Sequence, residues 1–350
     1  MSLIDLYSDT KTVPTEGMRA AMAAAKVGDE QMDEDPTTLA LCERVAMELG
    51  YDAAVFMPSG TMCNLVATLV HTRPGDELIA DAQSHICTTE GAGAAAIAGV
   101  AINPVFTRDG IFTADECRGA IRAPSRTAPR SSMVSIEQTT NFSGGAVWPL
   151  DVLRGVRDAA LDAGLRTHID GARLFNACIA TGQTPKTYAE GWNSAWVDFS
   201  KGLGCPFGAV LCGDRDFIGE AWTWKYRLGG AMRQSGILAA AALYALDHHV
   251  ARLAVDHANA ALFIDLLSKT PYFAFDTTSP TTNVILFKVQ GLSVDTTAFV
   301  GRALERGVRL RALSDGRVRA TTHLGVTRDE MLTAARILHD LAREFAANAA

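Results

Sequence analysis

Apolar positions recur along the chain in two rhythms. From Thr37 to Leu49 they fall on Leu39, Leu41, Val45, Ala46 and Leu49, which share one face of a helix. Ala53 to Met57 is instead a short continuous apolar run, closed by Pro58-Ser59-Gly60-Thr61, the form of a buried strand followed by a turn. The alternation repeats. Met62 to His71 reads as a helix, Glu77 to Ala80 as a strand after Gly75-Asp76, and Ser132 to Ile136 as another strand. Leu150 to Ala163 is a helix that stops at Gly164. Arg166 to Ile169 and Ala195 to Phe199 are strands ending at Asp170 and at Ser200-Lys201. Short apolar strands separated by helices predict a mostly parallel sheet covered on both faces.

After about residue 245 the pattern changes. Arg252 to Ser268, Val294 to Arg306 and Arg328 to Ala347 read as helices, and Asn283 to Val289 and Val318 to Thr321 as strands. The predicted class is α/β: a large domain over residues 1–245, with an N-terminal arm and a mostly parallel sheet, plus a small α+β C-terminal domain over 246–350.

The 350 residues are 48% hydrophobic, enough for a sizeable core and more than one typical domain. A net charge of -7 argues against a nucleic-acid surface, which needs a basic stripe. It does not exclude a small anionic ligand, which a few local donors can hold. The first residues carry acids where a secretory signal is basic and then apolar. The Ala/Gly run from Gly91 to Val100 falls short of the roughly 20 apolar residues of a membrane span. Seven cysteines without a CxxC suggest neither a disulfide framework nor a zinc site, and a reducing cytoplasm is the expected location.

Candidate chemistry gathers where strands end. Lys201, in Asp198-Phe199-Ser200-Lys201-Gly202-Leu203-Gly204, follows an apolar strand, and ligands of open α/β sheets bind beyond such ends. A partly desolvated amine there can attack a carbonyl; a surface lysine in a loop fits the segment too. Asp170 closes the preceding strand in His168-Ile169-Asp170-Gly171-Ala172-Arg173 and can face a protonated pyridine nitrogen. Arg173 can donate to a phenolate or carboxylate, or simply pair with an acid. Ser59, Gly60 and Thr61 open a helix directly after a strand, which suits a phosphate as well as an ordinary N-cap. His85 follows another strand end and can stack on a ring, move a proton or merely pack. Arg233, before an Ala-rich helix, and Arg319, on a C-terminal strand, are forks suited to phosphate or carboxylate. His248, His249 and His257 show no metal spacing and read as solvated helix positions. No GxxxxGK[ST], GxGxxG or GxSxG occurs, which disfavours nucleotide, dinucleotide and serine-hydrolase chemistry.

In this order the segments resemble the threonine aldolases, within the fold-type I pyridoxal-phosphate enzymes related to the aromatic amino-acid β-eliminating lyases. The resemblance runs from Asp5-Leu6-Tyr7-Ser8-Asp9-Thr10 through Val27-Gly28-Asp29, Glu34-Asp35-Pro36-Thr37, Pro58-Ser59-Gly60-Thr61, Ser84-His85, the Asp170 and Lys201 segments and Met232-Arg233-Gln234-Ser235-Gly236 to Arg319-Ala320-Thr321-Thr322-His323-Leu324. It implies a pyridoxal 5'-phosphate cofactor bound through Lys201, with Asp170 on the pyridine nitrogen and His85 stacked on the ring. Ser59, Gly60 and Thr61 form the phosphate cup, helped by Arg233 from nearby or from another subunit. Ser8, Arg173 and Arg319 clamp the substrate carboxylate. It further implies a homo-oligomer, dimer or tetramer, with shared sites. The implied activity is cleavage of the Cα–Cβ bond of a β-hydroxy-α-amino acid to glycine and an aldehyde. Two alternatives stay open: β-elimination, which yields a keto acid and ammonia instead of glycine, and a non-catalytic protein on the same scaffold.

The sequence departs from the family on the side of the β-substituent. Thr140 stands where many members carry a histidine that meets the substrate hydroxyl, and threonine can donate or orient there but is no base near neutral pH. Gln31-Met32-Asp33 replaces a tyrosine segment, Thr89 an aromatic residue, and Phe142-Ser143-Gly144-Gly145 lengthens the loop after Thr140. The expectation is an intact cofactor half and a rebuilt substrate half, with Thr140 among the substrate contacts.

Overall fold

The computed structural model describes residues 3–275 and 282–347. Its strands, in chain order, are β1 (Ile4–Asp5), β2 (Ala53–Met57), β3 (Asp76–Asp81), β4 (Ala101–Val105), β5 (Arg130–Glu137), β6 (Arg166–Gly171), β7 (Ser194–Asp198), β8 (Ala209–Gly213), β9 (Phe273–Phe275), β10 (Val284–Val289), β11 (Val308–Arg309), β12 (Arg311–Ala312) and β13 (Arg317–Thr321). Seven of them form one sheet in the order β2-β8-β7-β6-β5-β3-β4. Within it only β8 runs against its neighbours. The reason is local: residues 199–208, between β7 and β8, hold no helix. A connection that short cannot make the crossover a parallel pair needs, so the chain turns back.

The period-two alternation of the strands sorts their side chains onto two faces. Phe56, Ile79, Val134, Ile136, Ala195, Val197, Val210 and Cys212 enter a core shared with the helices Pro36–Leu49, Leu150–Asp162 and Gly236–His248. Val55, Met57, Trp196, Ala209 and Leu211 point the other way, against the helices Gly60–His71 and Arg215–Arg227. The fold-type I α/β architecture is therefore present, with both faces of a mostly parallel sheet covered.

A second, antiparallel sheet has the order β12-β13-β10-β9 and packs with the helices Leu253–Leu267, Thr296–Glu305 and Arg328–Ala347. Ile4 and Leu6 belong to this core, because β1 pairs in parallel with β11. The arm thus returns to the C-terminal layer and then crosses to the large sheet, where the Thr12 hydroxyl donates to the Lys201 carbonyl at 2.9 Å. Among the described residues no helix is long and apolar enough to cross a membrane. The reading of His249 as solvated needs correction: it is buried and Nδ1 contacts the Leu203 carbonyl at 2.7 Å.

Because β6 and β7 lie side by side, a Cβ at Gly171 would collide with the backbone oxygen of Trp196. Gly171→Ala is expected to destabilise the protein by about 1–3 kcal/mol or more. Gly219→Ala meets open space inside a helix and is expected to stabilise by about 0.5–1 kcal/mol. Thermal melting of the two variants checks the pair.

Candidate active site

The parallel strands all release their chain at one edge of the sheet, and the candidate residues meet there. A cleft of about 440 Å³ is lined by Ser8, Ser59, Gly60, Thr61, His85, Asp170, Arg173, Lys201 and Arg319, nine of the eleven residues singled out in the sequence. Thr140 and Arg233 are not among its lining residues.

Lys201 reaches back one turn, and its Nζ lies 2.5 Å from Oδ2 of Asp198, the last residue of β7. Asp170, on the neighbouring strand β6, accepts from the backbone of Ala172 at 3.0 Å and from Asn64 Nδ2 at 2.8 Å. Asn64 also donates to Glu90 at 2.7 Å, and Glu90 meets His85 Nδ1 at 2.7 Å. Burial alone would lower the pKa of His85, but the hydrogen bond to Glu90, with the charges of Asp170, Glu90 and Glu137, raises it above the ordinary value.

Ser59 caps the helix Gly60–His71, its Oγ accepting from Met62 N at 3.2 Å. Ser59 and Thr61 are exposed to the cleft, while Gly60 is pressed against the Trp196 ring, where a Cβ would collide. On the opposite wall Arg173 grips Asp9 through two bonds of 2.7 and 2.8 Å and reaches Asn141 at 3.3 Å. Burial would raise the pKa of Asp9, yet the Arg173 guanidinium pulls it far below the usual carboxylate range. Arg319 is 2% exposed, and its Nε and Nη2 have no protein partner. Burial first, then Arg173, lowers its pKa to about 10.

Thr140 and Arg233 go elsewhere. The Thr140 hydroxyl accepts from Ala146 N at 3.0 Å, and its methyl side faces Gly110, so the residue ties the loop together. The acceptor side of that hydroxyl is thus engaged inside its own loop, while its O–H is left to donate. Arg233 is exposed and pairs with Asp29 at 2.6 Å. Its loop is anchored by Glu30, which pairs with the buried Lys225 and accepts from Met232 N at 2.9 Å. Gln31, in the same region, donates to the Met232 carbonyl at 3.1 Å.

The sequence reading missed Asn64, Glu90, Asp198, Glu137, Arg311 and the Asp9 partner of Arg173. Asp198 stood in view three residues before Lys201, and Asn64 lies one helical turn after Gly60. Glu90 gives no pattern, since a single acid five residues from a histidine is ordinary.

Residues 5–290 match the family model described as Beta-eliminating lyase. The chain belongs to the beta-eliminating lyase family. It is 38% identical over 331 residues to the low specificity L-threonine aldolase of Escherichia coli K12, covering 94% of this chain and 96% of that one. It is 36% identical over 336 residues to low-specificity L-threonine aldolase 1 of Arabidopsis thaliana, covering 95% and 94%. A solved threonine aldolase of Leishmania major superposes with a TM-score of 0.83 at 19% identity, over 97% of this chain and 99% of that one. The family is one of pyridoxal-phosphate-dependent enzymes, and the groups at this edge suit that cofactor. They include an amine, a carboxylate backed by two donors, an imidazole, and exposed hydroxyls at a helix N-terminus.

Glu137 ends β5 opposite Asp170 and is almost fully buried. Burial, then the Asp170 charge, raises its pKa from 4.5 to about 7. The folded chain therefore holds this proton where the unfolded chain has lost it, so the stability it lends declines as pH rises from 4.5 through about 7. In cofactor-free protein, the melting temperature of Glu137→Gln minus that of wild type is expected to grow by about 2–4 °C between roughly pH 5 and 8. Melting curves across that range test it; a constant difference would contradict the raised pKa.

Proposed function

We propose that this chain is a pyridoxal-phosphate-dependent aldehyde-lyase that cleaves the Cα–Cβ bond of β-hydroxy-α-amino acids, threonine among them, to glycine and an aldehyde. The observation that carries the reading is the meeting of Lys201 and Asp170 in one cleft, at the ends of adjacent strands. The relatives named above, matched nearly end to end, support the same reaction.

When bound, the cofactor supplies an aldehyde for amines and a ring that takes up the electron pair of the broken bond. Lys201 provides the amine that holds it, and Asp198 fixes the direction of Nζ. Asp170 is placed to pair with the ring nitrogen, and Asn64 keeps that carboxylate turned toward the cleft. Ser59, Gly60 and Thr61 serve the phosphate with hydroxyls and backbone N–H groups. Arg319 receives the substrate carboxylate, with Ser8 and Arg173 beside it. That grip fixes rotation about Cα, so the Cα–Cβ bond can be held in the orientation that breaks. His85, with Nδ1 committed to Glu90, has Nε2 available to take the proton of the β-hydroxyl. Thr140 takes no part in that proton transfer.

Arg233 is exposed, and neither it nor the half-buried Gln31 beside its loop lines the cleft of its own chain. We infer a homo-oligomer in which Arg233 completes the phosphate site of a neighbouring subunit.

Holoenzyme assayed on threonine, allo-threonine and phenylserine is expected to release glycine and the matching aldehyde. Keto acid and ammonia without glycine would replace the aldolase reading by β-elimination. Lys201→Ala is expected to lose cleavage by at least about a thousandfold. Thr140→Val, which removes only a hydroxyl bound within its loop, is expected to keep kcat/KM within about threefold of wild type. A hundredfold loss there would restore Thr140 to the substrate contacts.

A further inference from the structure

The wall of the cleft formed by the small sheet carries more positive charge than one substrate carboxylate needs. Arg311 on β12 and Arg319 on β13 are Cα partners in an antiparallel pair. Like charges directly opposite each other destabilise a sheet, and among the described residues no carboxylate pairs directly with either, although the charges of Asp9 and Glu137 act on Arg319 from nearby. Among the described residues the Arg311 guanidinium has no hydrogen bond or ion pair, and Arg319 leaves two buried nitrogens without a protein partner. Both are held by aromatic rings instead. Arg311 Cζ is 5.4 Å from the centroid of Phe142 and 5.7 Å from that of Tyr7, and Arg319 Cζ is 5.9 Å from Phe142. Phe142 thus holds two guanidiniums in place without neutralising either.

Arg311 also marks where the cleft opens further. Beyond it, and sharing Thr89, Phe142 and Arg311 with it, lies a chamber of about 390 Å³. Gln83 and Thr88 also line it. Its one acid among the described lining residues, Asp315, is bound by Arg317 at 2.6 Å. The chamber is therefore roomy, and the charge it presents without a paired acid, that of Arg311, favours an anion.

We propose that the preferred substrate is a β-hydroxy-α-amino acid whose β-substituent ends in an anionic group such as a carboxylate, which Arg311 binds while Arg319 holds the α-carboxylate. This rests on the aldolase reading above and narrows its substrate class. In the simplest member, 3-hydroxyaspartate, the Cα–Cβ bond breaks and the hydroxyl gives up its proton. Cβ becomes the aldehyde carbon of glyoxylate, and Cα gains a proton to become glycine. The balance closes without an oxidant or a further reactant.

Two measurements on the holoenzyme test the proposal. The first is calorimetric binding of L-aspartate, which lacks the β-hydroxyl and cannot be cleaved this way, against its neutral counterpart L-2-aminobutyrate. Wild type is expected to favour L-aspartate by about ten- to a hundredfold, the worth of a charge-assisted hydrogen bond. R311Q is expected to erase that preference and R311K to restore part of it. The second is the ratio of kcat/KM for 3-hydroxyaspartate over threonine, expected to fall in R311Q by about ten- to a hundredfold, chiefly through KM. An unchanged ratio would overturn the proposal, because Arg311 would then serve the α-carboxylate common to both substrates or neither. Equal binding of the two probes by wild type would overturn it as well. Glycine from threonine but no preference for the diacid leaves the aldolase standing and removes only this inference. No glycine from any substrate removes the aldolase reading itself, whatever the binding data show.

Discussion

Asn64 is the point where four buried polar groups are reconciled, and the active edge depends on it. Its Nδ2 donates to Asp170 and Glu90, and its Oδ1 lies 2.7 Å from Trp196 Nε1 and 3.2 Å from His168 Nε2. Two carboxylates on one side and an indole N–H on the other allow only one orientation of the amide. Because Oδ1 can only accept, His168 must carry its proton on Nε2. Burial keeps His168 neutral, so Nδ1 accepts from the Ser194 hydroxyl at 2.7 Å. Ser194 in turn sits 2.8 Å from Nε2 of His71, also kept neutral mainly by burial. Every proton in this chain points toward Asp170. A carboxylate surrounded by donors is the form able to face a cationic ring nitrogen, and the same amide fixes Glu90 and through it His85. Helix 60–71, β6, β7 and the segment 85–90 are thereby tied at one atom group.

The large-sheet half of the site was legible because its chemistry coincides with element ends. A strand that stops at Asp170, another that stops before Lys201 and a helix that opens at Ser59 are hydrophobic-pattern features as well as chemical ones. Register then does the rest: β6 beside β7 puts Asp170 across from Trp196, and Asp198 lies two residues on. What the pattern could not give was the antiparallel β8, whose apolar run resembles that of its parallel neighbours. Its direction comes from the absence of a helix in residues 199–208, a negative signal. The pairing of β1 with β11 was equally hidden, since a two-residue strand has no period to detect.

Thr140 and Arg233 show how partners outside the local sequence decide where an expected site residue lies. Thr140 occupies the expected place along the chain, but its loop closes on itself. Thr140 N bonds the Ala146 carbonyl, Gly145 N bonds the Thr140 carbonyl, and the hydroxyl takes the Ala146 amide. A side chain that satisfies its own turn is held in place by it, and here only its O–H is left to offer a ligand. Arg233 is set outward by Glu30, whose pairing with the buried Lys225 costs too much desolvation to be given up for a surface rearrangement. In both cases the deciding partners are remote or backbone groups that sequence spacing does not encode.

The two walls of the cleft follow opposite rules. On the large sheet the charged groups come in matched sets: Lys201 with Asp198, His85 with Glu90, Arg173 with Asp9. Such pairs orient their side chains before anything binds, because each of these charges already has a counterion beside it. On the small sheet the guanidiniums of Arg311 and Arg319 rest on Phe142 and face each other across a strand pair. A guanidinium with no directly paired acid is stabilised by whatever anion it can acquire, so this wall gains most from an incoming ligand. That asymmetry assigns the roles: the matched wall is a fixed platform for a resident group, and the unmatched wall is the part of the molecule that selects what comes and goes.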